Sequence, residues 1–319
     1  MMKRLQTSLI FSMVSAIVSV LMMGSLTWAA ALPNAGTAPV QVTVTVTGKD
    51  HQPLPELTGR DLMVFQNNQR RPVLNLEPVA ASAKGFDLAI LIDGSLGSAV
   101  SLQFPDIRRF MASLPPSTEI GVAYSEYGRA RFTQDFTTDR GKAEGALSIP
   151  QGGINAGASI FQSVTDLMKH WPADGRAHSV LLVSNGVDIN RGVSETLPTL
   201  NPDLDEAIRQ AQKAGVILYS IYAGGAAPFT HGWFLRDNGQ SMLTRLADET
   251  GGEAYFQGNE TPVSFSPFLK QLREALDRQY VLTFEAMATA KPDQARLRVT
   301  TELPHVHIAA PALVQVPAS

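Results

Sequence analysis

Two periodicities divide the chain. From Val40 to Thr47 valine alternates with polar residues, three of them threonine, the period-two pattern of a half-buried strand rich in β-branched residues. Similar patterning covers Asp61 to Phe65, crosses the polar turn Gln66-Asn67-Asn68-Gln69 and resumes from Arg71 to Leu76. It returns only near the other terminus, at Tyr280 to Phe284, Arg296 to Thr301 and Val306 to Ala309. Between these flanks the pattern changes. Phe86 to Ile92, Glu119 to Tyr124, Ser179 to Ser184, Val216 to Tyr222 and Glu253 to Phe256 predict strands, separated by segments of helical spacing. Pro105 suits a first helical turn and leads Ile107, Phe110, Met111 and Leu114. A helix from Ser159 to His170 carries Ile160, Val164, Leu167 and Met168 on one face, and another from Leu204 stops at Gly215. Leu243 to Thr250 and Phe268 to Arg278 complete the helices, while Gly128 to Asp139 lacks their period and suits an antiparallel edge strand.

Strand alternating with helix argues for a parallel sheet covered on both faces. The expected fold class is therefore α/β: a three-layer, doubly wound, mostly parallel, Rossmann-like sheet with one antiparallel edge strand. Two short β-rich flanks bury faces together that neither buries alone, so they are expected to form one small β-sandwich. The expected organisation is an N-terminal β segment at residues 38–80, the sheet domain at 84–279, and a C-terminal β segment at 280–317 pairing with the first.

Composition narrows the function classes. Among 319 residues, 44% hydrophobic and 17% charged is an ordinary globular balance. Met1-Met2-Lys3-Arg4 precedes an uncharged stretch and then Thr27-Trp28-Ala29-Ala30-Ala31, which reads as a signal peptide over residues 1–31. Residues 5–32 are also long enough to act as an uncleaved membrane anchor. The chain is thus expected in the periplasm or outside the cell, held at the inner membrane if the signal stays. It has no cysteine, which removes disulfides and thiolate chemistry. Without Lys3 and Arg4, 24 of the 26 basic residues face 29 acidic ones, a balance of −5 that argues against nucleic acid as a partner.

The run Phe86 to Ile92 feeds a small polar loop, Asp93-Gly94-Ser95-Leu96-Gly97-Ser98. In open parallel sheets, ligands bind just beyond the carboxyl ends of such strands. This stretch resembles the von Willebrand factor type A (VWFA) domain, whose first strand ends in Asp-x-Ser-x-Ser and supplies a metal-ion-dependent adhesion site (MIDAS). Asp93 and Ser95 match, and Gly97 stands where the second serine belongs. The family's Gly-Gly-Thr and Ser-Asp-Gly loops correspond to Gly157-Ala158-Ser159 and Ser184-Asn185-Gly186. Leu57 to Val64, ahead of its polar turn, is similar to the segment before the type A domain in a bacterial, notably acidobacterial, family of exported VWFA-related proteins. The resemblance implies a degenerate MIDAS with Asp93, Ser95 and Ser159 as metal ligands and Ser98, Asn185 and Asp188 as supplements. A hard cation needs enough negative charge to offset its dehydration, and Asn185 supplies none. Affinity for Mg2+ or Ca2+ is expected to be weak, and no other cofactor is indicated.

Other chemistry finds less support. Ser95 on a tight strand-to-helix turn invites a serine-hydrolase reading, but a nucleophile elbow needs glycine two residues before the serine, and no histidine carries a base motif. Gly152 to Gly157 lacks the Lys-Ser/Thr of a phosphate loop. His305 and His307 would share one face of a strand with no third metal ligand. Trp233 and Phe234, with Phe229, fall in an aperiodic Gly/Pro-rich loop from Ala223 to Gly239, where aromatics serve to anchor a partner or to fasten the loop. The function expected is that of an exported, non-enzymatic, metal-independent module binding a protein or another envelope component. A metal-dependent adhesion module is the alternative, and a hydrolase using Ser95 stands third.

Overall fold

The computed structural model describes residues 36–48, 57–81, 85–150, 158–171, 175–190, 192–224, 232–258 and 262–318. The signal and anchor at 1–32, the glycines from Gly152 to Gly157, Phe229 and His231 lie outside the described residues.

The flanks pair as their patterning requires. Strands β1 (Thr37–Gly48), β2 (Leu62–Gln66), β3 (Gln69–Arg71) and β4 (Val73–Pro78) come from one end of the chain. From the other come β11 (Gln279–Met287), β12 (Asp293–Thr301), β13 (Val306–Ala309) and β14 (Leu313–Val316). They interleave into two four-stranded sheets, β13-β1-β11-β4 and β14-β12-β2-β3. The valines of β1 meet Leu62, Val64, Leu282, Phe284, Leu297 and Val299 in one apolar core. Each sheet thus holds strands from both ends, and neither end could close this core alone. One expectation fails here. His305 lies in the turn before β13 with φ 62°, so it does not share a strand face with His307. Pro304 ahead of it favours that turn over continued strand.

Between the flanks lie β5 (Phe86–Asp93), β6 (Glu119–Glu126), β7 (Arg129–Thr137), β8 (Ala177–Ser184), β9 (Val216–Tyr222) and β10 (Ala254–Tyr255). Their order is β10-β9-β8-β5-β6-β7, all parallel except β7, which runs antiparallel to β6 at the edge. Helices α1 (Phe104–Ser113), α2 (Arg140–Gly145), α3 (Ile160–Lys169), α4 (Pro202–Ala214), α5 (Trp233–Thr250) and α6 (Ser266–Asp277) cover it. Leu88, Ile90 and Ile92 pack with α1 and α6 on one side, whereas Ala89 and Leu91 pack with α3, α4 and α5 on the other. The three-layer expectation holds, with its antiparallel edge.

α5 corrects the loop expected from Ala223 to Gly239, because it begins at Trp233. Its first turn points Trp233 and Phe234 outward, and its buried face opens with Asn238, Gly239 and Gln240. A helix seated on polar and small residues leaves no apolar period to read.

Sandwich and sheet lie in one compact unit from Thr37 onward. A buried polar knot joins them. Thr45 Oγ1 of β1 lies 3.0 Å from Tyr219 Oη of β9, and Gln279 Nε2 at the start of β11 donates to both Tyr219 Oη and Ser179 Oγ of β8, at 3.1 Å each. A cavity of about 290 Å3 beside it is lined by Gln41 to Thr43, Ala177, Val216 and Leu313 to Gln315, so the sandwich sits at the end where β8 and β9 begin.

Burial pushes the Tyr219 hydroxyl up to about 12. The unfolded chain ionises a tyrosine near pH 10. The raised folded value therefore contributes stability that is whole below about pH 10 and is lost as pH climbs through the folded value. Denaturant melts between pH 9 and 12 should show that loss, and Tyr219→Phe should flatten it. At pH 7, Tyr219→Phe strands two buried partners and should lower unfolding stability by about 1–3 kcal/mol.

Candidate functional site

The polar loops meet beyond the carboxyl end of β5. Asp93 closes that strand and is 6% exposed. Its Oδ1 accepts from the Ser95 backbone N–H at 2.9 Å, and its Oδ2 accepts from the Ser184 hydroxyl at 2.6 Å. Ser184 ends β8, so this contact ties the two central strand ends together. Ser184 Oγ accepts in turn from the Gly186 N–H at 2.9 Å. Asn185 is 3% exposed; its Oδ1 accepts from the Val187 N–H at 2.8 Å and its Nδ2 donates to Ser95 Oγ at 3.5 Å.

A second cluster forms at the start of α3. Ser159 caps that helix by accepting from the Phe161 N–H at 3.1 Å, while its hydroxyl donates to Asp188 Oδ2 at 2.6 Å. Asn201 Nδ2 donates to the same oxygen at 3.0 Å, and Asp188 Oδ1 accepts from the Asn190 N–H at 3.0 Å. Ser159 is wholly buried and Asp188 is 3% exposed. Sequence reasoning assigned Asn201 no part, although Asn201-Pro202 is a legible helix start: Asn201 Oδ1 accepts from the Leu204 N–H at 2.7 Å. The part of Ser184 was missed as well.

Two backbone features shape the loops. Gly97 sits at φ 62°, ψ −150°, a combination nearly confined to glycine, and it kinks the 3-10 stretch that follows Asp93. Helix α5 lies directly on the loop after β8. A Cβ on Gly239 would stand 2.2 Å from the Asn185 carbonyl oxygen, and one on Gly186 would stand 2.2 Å from the Gly239 carbonyl oxygen. The structure thus brings Asp93, Ser95, Ser184 and Asn185 together, and separately Ser159, Asp188 and Asn201. Ser98 is exposed, with its carbonyl taken by the Ser101 hydroxyl at 2.6 Å. Trp233 and Phe234 stand at the start of α5, stacked edge to face at 5.9 Å.

As a donor set for a hard cation this arrangement fits poorly. Both Asp93 oxygens already accept hydrogen bonds, Asp188 is held by three donors, and Gly97 offers no side-chain oxygen. Among the described residues, no three acidic, histidine or cysteine side chains gather in a metal-holding group.

No protein-family model and no curated protein matches the chain. Among solved structures it is similar to an aerotolerance-related membrane protein from Bacteroides fragilis carrying multiple mutations to serines, at 13% identity over 60% of this chain and 99% of that one, with a TM-score of 0.43. It is similar to the vWF domain of the type V pili tip protein Mfa5 from Porphyromonas gingivalis, at 11% identity over 62% of this chain and 94% of that one, TM-score 0.42. Against three N-terminal domains of that tip protein, identity is 8% over 88% of this chain and 66% of the other, TM-score 0.40. The chain's own topology, a mostly parallel six-stranded sheet with an antiparallel edge and Asp93-x-Ser95 at its central strand end, agrees with the fold that the type A resemblance implies.

Gly97→Ser rewrites the family's second serine but forces an L-residue to the observed positive φ. Its expected effect is a loss of about 1–3 kcal/mol in a denaturant melt. An unchanged melt would show that the loop does not need this conformation.

Proposed function

We propose that the chain is an exported, non-enzymatic binding module that grips a protein or envelope partner through the rim around Asp93, without a metal ion. One observation carries the reading: exposed large apolar side chains crowd that end of the sheet. Leu102 follows β5, Tyr127 follows β6, Val193 and Leu200 follow β8, Trp233 and Phe234 follow β9, and Phe256 and Val263 follow β10. Scattered apolar side chains are normal on a surface; among the described residues eight of the ten large exposed ones lie in these connections, with Leu74 on β4 and Ile149 after α2 elsewhere, and that concentration supports an interaction site.

Val263 is 98% exposed, yet its loop is fastened. Gln103 Nε2 donates to the Pro262 and Val263 carbonyls at 3.3 Å each, and Gln103 Oε1 accepts from the Phe265 N–H at 3.0 Å. Asp106 Oδ2 accepts from the Ser264 hydroxyl at 2.5 Å. A turn held this way loses little freedom on binding. The sandwich packs at the other end of the sheet and leaves the rim clear. Against hydrolysis, the partner of Ser95 Oγ is an amide and not an imidazole. Export rests on the basic and then apolar start of the chain. Among the described residues no helix is long and apolar enough to cross a membrane.

A pull-down from the native envelope tests the reading. Capture should survive a chelator and should fall several-fold with Trp233→Ser combined with Val263→Ser; capture abolished by chelation would reinstate the metal-dependent module. Millimolar Mg2+ should leave the thermal melt of the wild-type protein unmoved, because a cation well above its Kd would raise stability by RT ln(1 + [L]/Kd).

A further inference from the structure

The outer face of the second sandwich sheet carries an uncompensated basic row that the chain's acidic balance does not announce. On β12, Leu297 and Val299 turn inward while Arg296 and Arg298 are exposed. On β2, Leu62 and Val64 turn inward while Phe65 is half-buried on the outer face. Phe65 is the cross-strand partner of both Arg298 and the exposed Arg70 of β3, so Arg70, Phe65 and Arg298 form one row across three strands.

The Arg298 guanidinium lies over the Phe65 ring, 4.2 Å from its centre. That contact fixes a side chain otherwise rich in rotamers and leaves its planar N–H edge free for an oxygen pair. Among the described residues, Arg70, Arg296 and Arg298 make no ion pair, whereas Arg109, Arg131, Arg176, Arg209, Arg245 and Arg273 all do. The row borders β3, a free edge of its sheet.

We propose that this face docks an extended acidic protein segment with carboxylates at alternate positions. Arg296 and Arg298 are two residues apart on one strand face, a spacing of about 6.6 Å, which is also the spacing of alternate side chains on an extended peptide. Each arginine takes one carboxylate through a two-pronged, charge-assisted pair. Arg70, across Phe65 from Arg298, adds a third positive charge to the same face. Three arginines on a chain of net negative charge suit a short acidic segment better than a long polyanion.

The test is fluorescence anisotropy with a labelled peptide of alternating glutamate and valine. It is compared with a peptide of the same composition whose glutamates form one block, with an oligothymidylate and with phosphatidylglycerol vesicles. The alternating peptide should bind about tenfold more tightly than the block peptide and lose affinity with salt. Arg298→Ala should lower its affinity about tenfold, and Arg298→Lys, which keeps charge without the planar fork, should recover only part. Arg296→Ala, at a position with no stacking role, should weaken binding while leaving the melt unchanged, and Arg131→Ala on β7 should leave binding unchanged. Equal affinity for the two peptides, tighter binding of oligothymidylate or vesicles, or wild-type affinity in Arg298→Ala and Arg296→Ala would each overturn the proposal.

Discussion

In a strand buried on both faces a carboxylate finds its donors most readily where the strand begins or ends, and β5 carries both of its carboxylates there. All eight of its residues are buried, and its two carboxylates, Asp87 and Asp93, stand near its two ends. They are balanced differently. Asp87 is held by a cation, with Arg176 Nη1 at 2.6 Å from its Oδ1 and also 3.0 Å from Glu119. Asp93 is held by a hydroxyl and a backbone N–H, which are neutral donors. A buried ion pair fastens structure, whereas a carboxylate held by loop dipoles depends on the loops keeping their shape. The first arrangement stands at the end that bears the sandwich, and the second at the end that bears the exposed apolar rim.

The rim inherits its geometry from this arrangement. Ser184 ties β8 to Asp93, Gly186 follows on the same hydroxyl, and α5 presses its Gly239 onto that loop at backbone distance. The contact sets where α5 can begin, and so where Trp233 and Phe234 emerge. On the other side, Gln103 and Asp106 fasten the turn that carries Val263. The apolar side chains thus project from loops whose polar groups are spent on one another.

How much of this was legible follows from the kind of interaction involved. Sheet and helices could be read because burial leaves continuous apolar runs in the strands, such as Leu88 to Ile92, and a helical period in the helices, such as Ile160 to Met168. The sandwich could be read because β patterning occurs only at the two ends of the chain. The start of α5 could not be read, since Asn238, Gly239 and Gln240 fill the buried positions. Nor could the pairing of Asp188 with Ser159 and Asn201, which joins residues 29 and 13 positions from Asp188 through side chains that sequence spacing does not relate. The resemblance supplied what periodicity could not, by singling out Asp93, Ser95 and Ser159 before their surroundings were known.

The two departures from the type A pattern differ in kind. Gly97 answers a backbone demand: at φ 62° and ψ −150°, a side chain of any sort is strained, so the missing hydroxyl is the consequence of a loop path. Asn185 answers a hydrogen-bonding demand, because its Nδ2 donates toward Ser95 Oγ while its Oδ1 accepts from the Val187 N–H. Aspartate could keep the second contact but not the first, and it would add a charge near Asp93 with no cation beside it. The loop path and the amide therefore support the same arrangement from opposite sides. Both act on the loop that carries Ser95, so their effects are expected to couple and not simply to add.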